Sequence, residues 1–256
     1  MKYGLLRMLR IFLLLPVLFA CKKSNTPSGT TSLTLINAVA GSNPLVANFS
    51  DAYPLEWYSL ALLLPYATYY PYYETSSYIG KQQPLRLYQY PDTLEKSVPL
   101  FDLRLDLPVG TVHTLFLTGT TNTPDTLFTT DILPLHPIRD SSFGIRLVNL
   151  SPGSGSVSVN IQGQVNGSET GSLPYKSITD FKKYPATSAI GSYVFEFRDA
   201  DATLLASYTF AGVNNGTGNN TDINLWRNRN FTLILAGLPA VGATPSTQIV
   251  FLANNY

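Results

Sequence analysis

The chain has 256 residues with 17 basic and 16 acidic side chains, a formal charge of +1, which gives no basic footprint for nucleic acid. Its single cysteine excludes an intrachain disulfide, so a fold must rest on its core and its sheet hydrogen bonds. Only 13% of residues are charged, while Gly, Pro and Tyr number 18, 18 and 16, a composition of strands and turns.

Residues 1–20 have the three parts of an export signal: a basic start at Lys2, Arg7 and Arg10, an apolar block over 11–20, and a small residue, Ala20, beside the cut. The block is too short to span a membrane, which takes roughly 20 residues; an uncleaved anchor is the alternative. Leu18, Ala20 and Cys21 resemble the Leu-x-(Ala/Gly)-Cys lipobox of bacterial lipoproteins, with a bulkier Phe19 between them. The resemblance implies a diacylglycerol thioether and an acylated amino group on Cys21, which makes the membrane a partner through that lipid. Each buried methylene contributes ~0.8 kcal/mol and one chain holds only marginally, so two or three make a lasting anchor. With Lys2, Arg7 and Arg10 removed, 14 basic residues face 16 acidic ones in the mature chain, a balance of −2. The expected location is the cell envelope, at the outer membrane. Its side stays open, although Lys22-Lys23-Ser24 lacks acidic residues and leans toward the periplasm.

Residues 21–31 read as a lipidated Ser/Thr/Gly/Pro-rich tether. From Ser32 onward short apolar runs alternate with turn signals: residues 33–38, 45–49, 58–64, 84–88, 100–107, 113–117 and 127–133. No long helical pattern appears. Over 101–107, Phe101, Leu103, Leu105 and Leu107 alternate with Asp102, Arg104 and Asp106; over 193–198, Tyr193, Phe195 and Phe197 alternate with Val194, Glu196 and Arg198. Both patterns predict strands with one wet face.

The sequence also repeats itself. Leu35-Ile36-Asn37-Ala38 aligns with Leu147-Val148-Asn149-Leu150, Gly41-Ser42 with Gly153-Ser154, and Asn48 with Asn160, all at an offset of 112. Leu64-Pro65-Tyr66 recurs as Leu173-Pro174-Tyr175 at 109, and residues 114–119 recur as 232–237 at 118. The turn-rich stretch 213–222 accounts for the extra length of the second copy. Two β-sandwich domains are expected, over 32–137 and 142–256, each with its own core and about seven strands, the count of an immunoglobulin-like sandwich.

The opening Ile-x-Leu-Val-Asn-x-Ser-Pro-Gly-Ser of the second copy (145–154), its Leu-Pro-Tyr and its late Thr-Leu-x-Leu-x-Gly resemble the domain of unknown function 4397. That family often occurs in tandem in lipoproteins of Bacteroidota-type bacteria. The equivalents of its usual strand after the Ser-Pro turn, 45–49 and 157–161, are divergent here. The resemblance implies a β-sandwich outside the cytoplasm and carries no catalytic residues.

Candidate sites are sparse. His113 occupies the place of Phe231 in the other copy, which points to a packed histidine, and His136 falls between the copies. Two histidines without a usable cysteine are a poor zinc set, no Gly-x-Ser-x-Gly elbow is present, and no cofactor is expected. Gly216-Thr217-Gly218 lacks the third glycine and the helix of a phosphate loop. Asp102 and Asp106 flank Arg104 as a charge ladder does, and Asp199 and Asp201 fit a hairpin turn better than a calcium site.

The aromatic segment holds the binding candidates, because tyrosine pairs a flat apolar face with a polar tip. By alignment, Tyr69 and Tyr72 match Ile178 and Phe181 and are expected in the core, and Tyr66 matches Tyr175 as a structural residue. Tyr70 and Tyr73 match Thr179 and Lys182 and are expected at the surface. Trp57, Tyr70, Tyr73 and Tyr78 are therefore the candidate surface for a glycan or an envelope protein. The expected function is a non-catalytic binding or scaffolding lipoprotein. The alternatives are a glycan-binding lipoprotein and an envelope hydrolase with its site at the domain interface.

Overall fold

A computed structural model describes residues 29–50, 63–70, 77–78, 80–92, 94, 96–137, 139–218 and 221–255. Among them the regular structure is entirely β. The first copy supplies β1 (Thr31–Asn37), β2 (Leu45–Asn48), β3 (Leu63–Leu64), β4 (Thr68–Tyr70), β5 (Ser77–Tyr78), β6 (Gly80–Gln89), β7 (Phe101–Leu107), β8 (Val112–Gly119) and β9 (Pro124–Thr130). The second supplies β10 (Ser142–Asn149), β11 (Val157–Ile161), β12 (Thr170–Leu173), β13 (Lys182–Pro185), β14 (Ser192–Arg198), β15 (Leu204–Ala211), β16 (Asn230–Ala236) and β17 (Ile249–Asn254).

Each copy is a sandwich of two sheets. The first pairs the sheet β4-β1-β8-β9, with β5 also on β1, against the sheet β3-β2-β6-β7. The second pairs β13-β10-β16-β17 against β12-β11-β14-β15. The order is the same in both, down to a parallel pairing of the first strand with the last but one: β1 with β8 and β10 with β16. Among the described residues the first copy has nine strands and the second eight, against about seven expected in each. The run expected to reach residue 133 ends at Thr130, and Ile132 is 90% exposed.

Among the described residues three apolar clusters form the core. Leu35, Leu45, Leu87, Leu105 and Leu115 belong to the core of the first sandwich. Phe143, Leu147, Val159, Phe195, Phe197 and Leu233 belong to that of the second, where rings pack edge-on around Phe210. The third cluster, with Ile36, Phe116, Val148 and Ile234, joins residues of both copies. Alternation explains it: Leu35 and Leu115 point into the sandwich, so their neighbours Ile36 and Phe116 point out of it. The sheets carrying β1 and β10 thus pack back to back along a seam and form the inner layers, with the other two sheets outside. β10 and β16 are buried at every residue. The outer strands keep a polar face, as on β7, where Asp102, Arg104 and Asp106 are exposed.

The repeat has a physical reason. Asn149 ends β10, and its Nδ2 donates to the Leu173 carbonyl on the opposite sheet at 3.0 Å and to Ser154 Oγ at 3.1 Å. Its Oδ1 accepts from the Ser151 amide at 3.0 Å. Asn37 does the same with Leu64, Ser42 and Val39 at 3.1, 3.2 and 3.1 Å. This clamp closes one end of each sandwich, which is why Asn, Ser and the Leu of Leu-Pro-Tyr recur together. The recurring Gly119 and Gly237 have φ of +83° and +91°, and a Cβ on either would lie 2.2 Å from a backbone oxygen.

Candidate functional site

Of the residues singled out in the sequence, Cys21, Trp57, Tyr72 and Tyr73 lie outside the described residues. Tyr78 pairs through its backbone with Thr31. Tyr69 and Tyr70 are described, and they divide differently from expectation. Tyr70 stands opposite Leu35 and packs, half-buried, against the first core. Tyr69 stands opposite Ile36 and packs on the seam. The alignment itself is supported, because the Ile36–Tyr69 pair is matched by a bridge between Val148 and Ile178. What differs is the meaning of Thr179. Its hydroxyl accepts from the Leu147 amide and donates to the Asp180 carbonyl, so its polarity serves the backbone rather than water.

The histidines are held in structural roles. His113 is buried, stacks on Phe128 at 5.0 Å and shares hydrogen bonds with Thr111 Oγ1 at 2.7 Å and Thr130 Oγ1 at 3.2 Å. It faces Leu33 just as Phe231 faces Ile145. His136 fixes the connection between the sandwiches to the second one: Nε2 lies 2.9 Å from Asn230 Oδ1, and Nδ1 lies 3.4 Å from Asp140 Oδ2. Asn230 also donates to the Pro134 carbonyl. Gly144 makes room there, since a Cβ on it would sit 2.2 Å from Asn230 Oδ1.

The remaining acidic candidates follow their simpler readings. Asp102 pairs with Arg86, directly opposite on β6, at 3.3 Å. Asp199 Oδ1 accepts from the amides of Asp201 and Thr203 at 3.0 and 2.8 Å, closing the β14–β15 hairpin. Gly216-Thr217-Gly218 lies in the connection between β15 and β16.

Two polar sites emerge that the sequence reading did not name. The first is on the seam. Arg146, in the middle of β10, sends Nη1 to Asp131 Oδ1 at 2.7 Å and Nη2 to Asp131 Oδ2 at 3.0 Å, a bidentate pair between the copies. Nη2 also donates to Thr114 Oγ1 at 3.2 Å and Nε to Thr232 Oγ1 at 2.8 Å. The guanidinium lies over the Phe181 ring at 4.8 Å from its centroid. Beside it is a cavity of ≈ 400 Å³ lined by Arg146, Thr129, Thr130, Ile178, Asp180 and Phe181, among others. The signal was present in the sequence: an arginine inside the apolar run 143–150.

The second site is on the outer face of the second sandwich. Glu196 Oε2 accepts from Asn160 Nδ2 at 2.9 Å and Arg198 Nη2 at 2.8 Å, and Arg198 Nε donates to Asn160 Oδ1 at 3.1 Å. Arg198 first, then Asn160, holds the Glu196 carboxyl below the usual carboxylate range. With Gln162, Gln164 and Asn166 these groups line a depression of ≈ 360 Å³. The charged floor is internally neutralised, and the rim is made of carboxamides, which both donate and accept.

No family model matches the chain. No curated protein matches it either.

Proposed function

We propose that the protein is a lipid-anchored component of the cell envelope, held at the outer membrane by acyl chains on Cys21, with a binding or scaffolding role and no chemistry of its own. The resemblance to tandem lipoproteins with the domain of unknown function 4397 agrees with this reading. The observation that carries it is the employment of the reactive side chains. His113, His136, Asp131 and Arg146 are all occupied by structural partners, as suits a scaffold. Changing Cys21 to Ser should move the protein from the membrane to the soluble fraction. If the variant still pellets with membranes after a carbonate wash, the anchor reading is wrong.

Glycan binding is the second reading, and the carboxamide-rimmed depression beside Glu196 favours it. Amides at fixed positions suit neighbouring hydroxyl groups. Titrating cell-wall oligosaccharides into the Cys21→Ser chain, with and without Gln164→Ala/Asn166→Ala, tests it. Saturable heat lost in the double variant supports the reading; equal heats with both proteins refute it.

A further inference from the structure

The seam is built from equivalent residues of the two copies. Ile36 and Val148, Phe116 and Ile234, and Tyr69 and Ile178 are aligned pairs, and both members of each pair lie in the one cluster. The same holds for Ala38 with Leu150, and for Leu127 with Phe251, which stand opposite Phe116 and Ile234. Its cross-contacts are reciprocal as well. β17 of the second copy lies against β4 of the first. In return Asp125 on β9, the counterpart of β17, binds Lys176 at 2.8 Å, just ahead of residues 177–179, which align with β4. A patch that meets its own equivalent in both directions is an isologous contact, the arrangement of a two-fold dimer.

One feature breaks the equivalence. Asp131 and Asn255 hold matching places, each with its amide on the residue that opens the neighbouring strand, Val112 or Asn230. Each also accepts from the matching threonine, Thr114 or Thr232. Arg146, however, is matched by Thr34, which carries no charge. We infer that each copy carries a self-complementary dimerisation surface, and that the Arg146–Asp131 pair restricts this surface to the other copy of the same chain. Two second copies meeting by this face would bury Arg146 against Asn255. Two first copies would bury Asp131 against Thr34. Either mispairing leaves a charge buried without its partner, which disfavours it strongly.

The test uses the full chain in detergent with a protease site inserted after the exposed Ile132, so that Asp131 stays with the first half and the His136 latch with the second. After cleavage, native mass spectrometry follows the pair populations until they stop changing. In the parent, unlike halves should remain paired and like pairs should be suppressed on the order of a hundredfold. Arg146→Thr/Asp131→Asn gives each half the residue its counterpart has, and the populations should move to the statistical mixture of like and unlike pairs. Asn255→Asp alone, a nearly isosteric change, should let second halves pair with each other and guards against misfolding of the double variant. Three results overturn the inference: separation of the parent into single halves, like pairs at statistical abundance in the parent, or second halves that never pair with each other in Asn255→Asp.

Discussion

Arg146 and Asp131 meet across the seam as a bidentate pair, with 5% and 1% of their side chains exposed. Removing one partner leaves the other buried and uncompensated, a loss of about 3–5 kcal/mol. Arg146→Ala should therefore cost far more than a surface arginine, and calorimetry should show the two sandwiches melting apart instead of in one transition. A double-mutant cycle with Asp131→Asn should give a coupling energy of about 1–3 kcal/mol. Additive costs would show that the pair does not couple the domains.

The asparagine clamp makes a separate prediction. Asn149→Ala strands the Leu173 carbonyl and the Ser151 amide in a buried place, each worth about 1–3 kcal/mol. Asn149→Asp should be worse, because a carboxylate would face the Leu173 carbonyl in place of a donor. Urea denaturation of the two variants checks the order; a milder effect from Asp than from Ala would rule out the donor role of Nδ2.

Acid should weaken the second sandwich. Hydrogen bonds from Ser142 and Lys183 pull the Asp140 carboxyl down to about 2, and Arg198 with Asn160 lowers Glu196. Both groups take up a proton more readily in the unfolded chain. Their stabilisation is complete above the unfolded values near pH 4 and is lost as the pH falls through the folded ones. The urea midpoint should fall between about pH 4 and pH 2, and Asp140→Asn should flatten its lower part. An unchanged profile in that variant would remove Asp140 from the account.

His113→Phe should be tolerated within about 1.5 kcal/mol, since Phe231 fills the matching slot and the ring can still stack on Phe128. His113→Ala should cost more, through the cavity it leaves. Thermal melts of both variants distinguish a packing role from one that depends on the imidazole nitrogens.

Much of this architecture was legible in the residues. The repeat at 35–38 and 147–150 placed both sandwiches, and the alternation of Phe101 to Leu107 gave the wet outer face. The division of Tyr69 and Tyr70 was not legible. Period two tells which residues share a face but not which face is inward when both are buried, as they are on β10 and β16. The hydroxyl of Thr179, spent on the Leu147 amide, looked like a surface residue and made Tyr70 look like one too. The Arg146–Asp131 pair was hidden for another reason: its members sit on different copies and meet only when the seam forms.

Strand β1 enters the first sandwich at the middle of a sheet. β1 runs parallel to β8 from Ser32 beside Val112 to Asn37 beside Leu117, and on its other side it pairs with β4 and β5. Traction on the residues ahead of Thr31 therefore pulls along the strand, crosswise to every bond of that ladder. Bonds loaded in this way share the force and must give together, whereas an edge hairpin such as β8–β9, pulled at its open end, would unzip one pair at a time. The central β1–β8 ladder is thus loaded in shear by a pull on β1, where the β8–β9 hairpin would be peeled.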